Sequence, residues 1–215
     1  MEASGSPSGS PYRRLFATPV ALLGIALALM WAIEALDHYA LDDYLQGWGI
    51  HPRQADGLTG IITTPFLHVD WGHLAGNTVP LAVMGGLVAA RGLRYWASVT
   101  LTIIIGGGFA TWLVAGGTNH IGASGIVFGY FGALLGAAWF ERRPAALGGA
   151  LLTIFLYGTI VTGFVPQPNL SWEGHLFGFL AGVIASRVWA EPREQRDPDD
   201  PGDVQPWELD EPWLD

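Results

Sequence analysis

The chain has 215 residues, half of them hydrophobic and only 13% charged, with 10 basic residues against 19 acidic ones for a formal net charge of -9. That composition is too apolar for an ordinary soluble domain and fits a membrane protein. There is no cysteine, so disulfides, thiol catalysis and thiolate metal sites are excluded.

Residues 1–15, opening "MEASGSPSGSP", form a Gly/Ser/Pro leader with nothing to bury, and disorder is expected. The first apolar span follows at 17–36, behind Arg13 and Arg14. It is long for a signal-peptide core and no small-residue cleavage pattern follows it, so it reads as a retained anchor. The next stretch, "DHYALDDYLQGWGIHPRQADGLTGIITTPFLHVDWG", is a long loop scattered with aromatic residues that favour the membrane interface. Loops of this length usually serve as lids or binding surfaces, and short helical turns are expected within it.

Five further spans are predicted at 74–90, 95–115, 123–140, 145–165 and 173–190, each long enough or nearly so to cross roughly 30 Å of hydrocarbon as helix. A single domain over 16–190 results, an all-α membrane protein built as a six-transmembrane-helix bundle. Arg13, Arg14, Arg91, Arg94, Arg142, Arg143, Arg187, Arg193 and Arg196 fall on one side of this topology, and only Arg53 on the other. The positive-inside rule then puts both termini in the cytoplasm. Residues 191–215 are acidic and Pro-rich, and are expected to be a disordered cytoplasmic tail.

Polar side chains inside a span are costly and each needs a reason. His73 and Asn77 are four residues apart on the second span, so they share a helix face and can donate hydrogen bonds to one target. Ser124 opens the fourth span within "GASG", where its N–H lies at the positive end of the helix dipole. Alone it reads as readily as a helix cap among packing glycines. His175, at the start of the sixth span, supplies the base that a nucleophilic serine requires. Gly125, Gly129 and Ala133 on one helix, and Gly174, Gly178 and Gly182 on the other, recur every four residues and allow close approach. Gly122 and Ala123 are read as room for a substrate backbone. No intramembrane aspartate offers a third member, which leaves a Ser-His dyad, Ser124 with His175.

The segments "TPFLHVDWGHLAGNTVPL", "GASGIVFG" and "GHLFGFLAG", in this order and at these depths, resemble the rhomboid intramembrane serine proteases. The resemblance implies a rhomboid-like six-helix bundle that cleaves transmembrane protein substrates near the outer membrane face through an acyl-enzyme. It implies that Ser124 is the nucleophile and that His175 is general base and then general acid. His73, Asn77 and the Ser124 N–H would hold the oxyanion, Phe128 would pack on the catalytic imidazole, and His68 would organise the outer loop. Trp48 and Arg53 are loose matches to a structural Trp-Arg pair of some members, and Gly174 stands where alanine is frequent. No metal or cofactor is implied, and the expected partners are transmembrane substrates and membrane lipid, with no nucleic acid. The resulting expectation is a multi-pass protein of a bacterial cytoplasmic membrane. The alternatives are a catalytically silent rhomboid-like protein that binds membrane clients, against which the retained Ser124 and His175 argue, and a small transporter, which no internal repeat supports.

Overall fold

The computed structural model of the protein describes residues 11–190 apart from 118, 168 and 169, with backbone alone for 11–16. The acidic tail and the first ten residues of the leader lie outside the described residues. Helix α1, Pro11–Ala40, is longer at both ends than its apolar span. It stops where Asp42 and Asp43 both take positive φ, 55° and 59°. The long loop then runs through tight turns at Tyr44–Trp48 and Asp56–Leu58, a single turn of α2 at Gly60–Thr63, and another turn at Thr64–Phe66. It is a structured loop, as its composition predicted.

Helix α3, Trp71–Ala89, is capped by Asp70, whose carboxylate accepts the His73 N–H at 2.8 Å. Helices α4, Leu93–Leu101, and α5, Gly108–Val114, are joined through one π-helical stretch, Thr102–Gly107, into a single rod. The remaining rods are α6, Ser124–Glu141, α7, Pro144–Tyr157, continued as a 3₁₀ stretch to Phe164, and α8, Trp172–Val188.

Among the described residues four segments are long and apolar enough to cross a membrane: Ala17–Ala40, Leu93–Val114, Ser124–Glu141 and Pro144–Phe164. Helices α3 and α8 occupy the second and sixth expected spans but do not join this set. The reason is chemical: α8 has only 17 residues and carries Glu173, His175 and Arg187, while α3 carries His73, Asn77 and Thr78. The two helices that bring polar groups inside are the two whose apolar character is diluted by them.

Helix α6 is the centre of the bundle. Of its apolar window 67% is buried inside the protein, against 11% for Pro144–Phe164. The outward side chains of that outer segment include Leu151 and Phe155, an apolar surface suited to lipid. The core between the rods is filled by Leu74, Met84, Val99, Ile103, Val127 and Tyr130.

Helix α6 packs most extensively on α8. The glycine rows explain how: a Cβ at Gly178 would overlap the Gly125 carbonyl, one at Gly182 the Gly129 carbonyl, and one at Gly132 the Phe179 carbonyl. Backbone lies against backbone along the whole seam. In lipid, where burial of apolar surface gives no drive for helices to associate, this dispersion contact is the main attraction available. The seam begins at Gly125 and Gly178, so it brings the first turns of the two helices, which carry Ser124 and His175, close together.

Candidate active site

Ser124 is the first residue of α6, and its hydroxyl lies 2.9 Å from His175 Nε2. His175 Nδ1 lies 2.8 Å from the carbonyl oxygen of Gly163. A carbonyl only accepts, so Nδ1 carries the proton of the neutral ring and Nε2 is left as the acceptor for the serine hydroxyl. The tautomer follows from this network. Among the described residues no carboxylate orients the imidazole; a backbone carbonyl of the segment after α7 does so.

The ring is clamped on its face as well. Phe128, one turn after Ser124, stacks on His175 with centroids 4.1 Å apart and planes 8° from parallel, and Phe164 meets Phe128 edge-on at 5.0 Å. A Cβ at Gly163 would stand 3.1 Å from His175 Nδ1 and 2.5 Å from Phe128 Cζ, so a side chain there would push the imidazole out of place. Gly163 was not visible as a site residue in the sequence. Its only signal is position, in a short 3₁₀ stretch whose distance from His175 along the chain carries no period.

His73 and Asn77 lie together on α3 and converge on Gly122. A Cβ at residue 122 would sit 2.8 Å from His73 Nε2 and 3.6 Å from Asn77 Nδ2. Gly122 also has φ 114°, a left-handed conformation that glycine adopts without steric cost. Asn77 Nδ2 is buried and, among the described residues, has no hydrogen-bond partner. Leaving such a donor unpaired costs about 1–3 kcal/mol, so its retention calls for an acceptor that arrives from outside the fold.

Ala123 is fully buried and Gly122 lies against the His73 ring, so the protein's own packing already requires a small residue at each position. At Gly122 the demand is close approach of the α3 side chains to the loop before α6.

That loop is held from several directions. Gly122 N donates to the Thr64 carbonyl at 3.1 Å, and Ala123 N to His68 Nε2 at 3.4 Å. His68 is buried in the loop before α3, with its ring 5.1 Å from that of His73. Burial, and then the neighbouring His73, push its pKa down to about 4, so it is a neutral acceptor at physiological pH. What it contacts is the residue next to Ser124.

The other expected positions fall as follows. Asp70 is occupied in capping α3, and Glu173 Oε1 accepts the Gly116 N–H at 3.0 Å, so neither carboxylate turns to His175. Arg53 donates to the carbonyls of Ala115 at 2.7 Å and Leu113 at 3.4 Å, tying the long loop to the end of α5. The tryptophan beside it is Trp112, whose carbonyl accepts Arg53 N at 2.9 Å and whose Nε1 donates to Gln54 O at 2.8 Å. Trp48 lies elsewhere and accepts a bond from Thr63 through its carbonyl. Among the described residues no three His, Asp or Glu side chains are disposed to hold a metal ion.

The comparisons with known proteins point to one family. Residues 55–191 match the family model of the Rhomboid domain, a segment that runs from the long loop to the end of α8. An uncharacterized protein of Mycobacterium bovis is 38% identical over 179 residues, covering 79% of this chain and 74% of the relative. Rhomboid-like protein 11, a chloroplastic protein of Arabidopsis thaliana, is 30% identical over 145 residues, covering 60% of this chain and 50% of its own length. The putative rhomboid protease YdcA of Bacillus subtilis is 25% identical over 188 residues, covering 83% of this chain and 92% of the relative. With the matched segment holding His73, Asn77, Ser124 and His175, the chain belongs to the rhomboid family.

Proposed function

We propose that the protein is an intramembrane serine endopeptidase, with Ser124 as nucleophile and His175 as its base, acting on transmembrane protein substrates. The observation that carries this reading is the 2.9 Å contact between Ser124 Oγ and His175 Nε2, in a ring whose other nitrogen is engaged by the Gly163 carbonyl. His175 takes the hydroxyl proton as Ser124 Oγ bonds to the scissile carbonyl carbon. The resulting oxyanion is held by Asn77 Nδ2, by His73 Nε2 in its protonated tautomer and by the Ser124 N–H, the first amide of α6. His175 then gives its proton to the leaving amine, the C–N bond breaks, and the peptide is left as an ester of Ser124. Water, activated by the same imidazole, releases it.

In this reading all six long rods cross the membrane, α3 and α8 included, because their polar ends face the interior of the bundle at the site. The arginine distribution puts both termini and the end of α6 in the cytoplasm, so that Ser124 lies toward the outer face. Cleavage then falls near the outward end of a substrate helix. A bacterial cytoplasmic membrane is the setting proposed, consistent with a mycobacterial relative.

The test is labelling of the detergent-solubilised protein by a fluorophosphonate probe, beside Ser124→Ala. Labelling of the wild type that disappears in the variant is expected. Labelling that survives the substitution refutes the nucleophile assignment, and no labelling of the wild type favours a client-binding role.

A further inference from the structure

A second serine-histidine contact stands beside the first, with the residue types exchanged. His120 Nδ1 is in hydrogen-bond contact with Ser171 Oγ, and this pair is 51 residues apart in sequence, as are Ser124 and His175. Each member precedes a site residue by four positions: His120 lies in the loop ahead of Ser124, and Ser171 is the cap residue of α8, its carbonyl accepting the His175 N–H at 3.1 Å. The second pair therefore bridges the same two segments as the first.

The hydrogen-bond polarity is fixed by the partners. His120 Nε2 lies 2.7 Å from the Gly116 carbonyl, which can only accept, so Nε2–H donates and Nδ1 receives the Ser171 hydroxyl proton. The His120 backbone is in turn held on both sides. It exchanges two bonds with Ile50, at 2.9 and 3.0 Å, and its carbonyl accepts the Thr64 hydroxyl at 3.0 Å. His120 is buried, so it is not presented to a substrate.

A tie at this place has a mechanical purpose. The α6–α8 seam sets how closely the two helices approach, but it does not hold the loop before α6, which contains Gly117 and Gly122 with φ of 79° and 114°. Ser124 and His175 both sit in first turns, where helices are least held. We infer that His120 and Ser171 form a positioning pair that sets the separation of Ser124 from His175, acting through the loop and the α8 cap without touching substrate. The inference rests on the protease reading above.

The experiment uses the full chain in detergent and measures the fluorophosphonate acylation rate, kcat and KM on a transmembrane reporter substrate, and the thermal midpoint. Ser171→Thr keeps the hydroxyl, and Ser171→Val has the same shape without it, so the two variants isolate the hydrogen bond. If the pair positions the dyad, Ser171→Val acylates and turns over roughly ten- to a hundredfold more slowly than Ser171→Thr, with KM unchanged. Equal rates in the two folded variants overturn the inference, as does a difference confined to the thermal midpoint, which would make the bond a structural tie alone. Failure of the wild type to react with the probe is seen before any Ser171 variant is compared. That result overturns the protease reading, and this inference with it.

Discussion

The two ends of α6 treat polar groups in opposite ways. At its start, Ser124 meets His175, and Asn77 Nδ2 is buried without a partner. At its finish, about 27 Å away by the helical rise, Glu141 is ion-paired with Arg91 at 2.6 Å. Arg91 also donates to the Tyr95 hydroxyl at 2.9 Å and places its guanidinium 3.7 Å over the Tyr95 ring. Beside that closed network lies a cavity of about 1130 Å³ lined by Arg91, Arg94, Tyr95, Ser98, Glu141 and Trp189. Paired charge therefore marks one end, while at the other a buried donor, Asn77 Nδ2, has no partner among the described residues. In the proposed function chemistry follows the second, because a transition state is stabilised by donors already aimed and unoccupied, while paired charges have nothing left to offer.

The comparison can be broken most severely at the seam that separates the ends. Gly182→Leu drives a side chain into the Gly129 carbonyl, and the cost is expected to exceed about 4 kcal/mol, because backbone cannot move aside as a side chain does. Loss of the monodisperse, cooperatively melting protein is the outcome to look for. A well-folded variant would mean that α6 and α8 have slack the contact geometry denies.

Next in size is Asn77→Ala, which removes a donor from the open end. The cleavage rate should fall by roughly 10²–10³, about 3 to 4 kcal/mol in the barrier. The thermal midpoint should hold or rise, since the Asn77 Nδ2 donor has no partner among the described residues. A lowered midpoint with an intact rate would assign Asn77 to packing and undo the contrast. Smallest is Arg91→Ala at the closed end. It leaves the carboxylate of Glu141 with one partner fewer and is expected to cost about 2 kcal/mol of stability. The acylation rate of the folded fraction should match the wild type, and a slowed rate would show that the two ends are coupled.

Much of this protein was legible in its sequence because the relevant signals are local or periodic. The rods follow from runs of apolar helix formers, the α6–α8 seam from small residues every four positions, and the shared face of His73 and Asn77 from the same spacing. The motifs around Ser124 and His175 resembled one family, and the match over residues 55–191 agrees. At Gly122 and Ala123 the sequence is ambiguous, because small residues beside a serine signal close approach without saying what approaches. The tertiary structure answers that the His73 ring comes against Gly122.

The sequence by itself thus determined the helices and which polar residues share a face or a helix end, since these depend on neighbours along the chain. The tertiary structure decided the partners. It brought the Gly163 carbonyl to His175 Nδ1, His68 to Ala123 N, Thr64 to Gly122 N, and Ser171 to His120. These contacts join separate elements through loop backbone and cap residues, where no helical period runs and any of several carbonyls would serve as acceptor. Which one is chosen depends on how the rods pack, and that packing is set by the glycine seam.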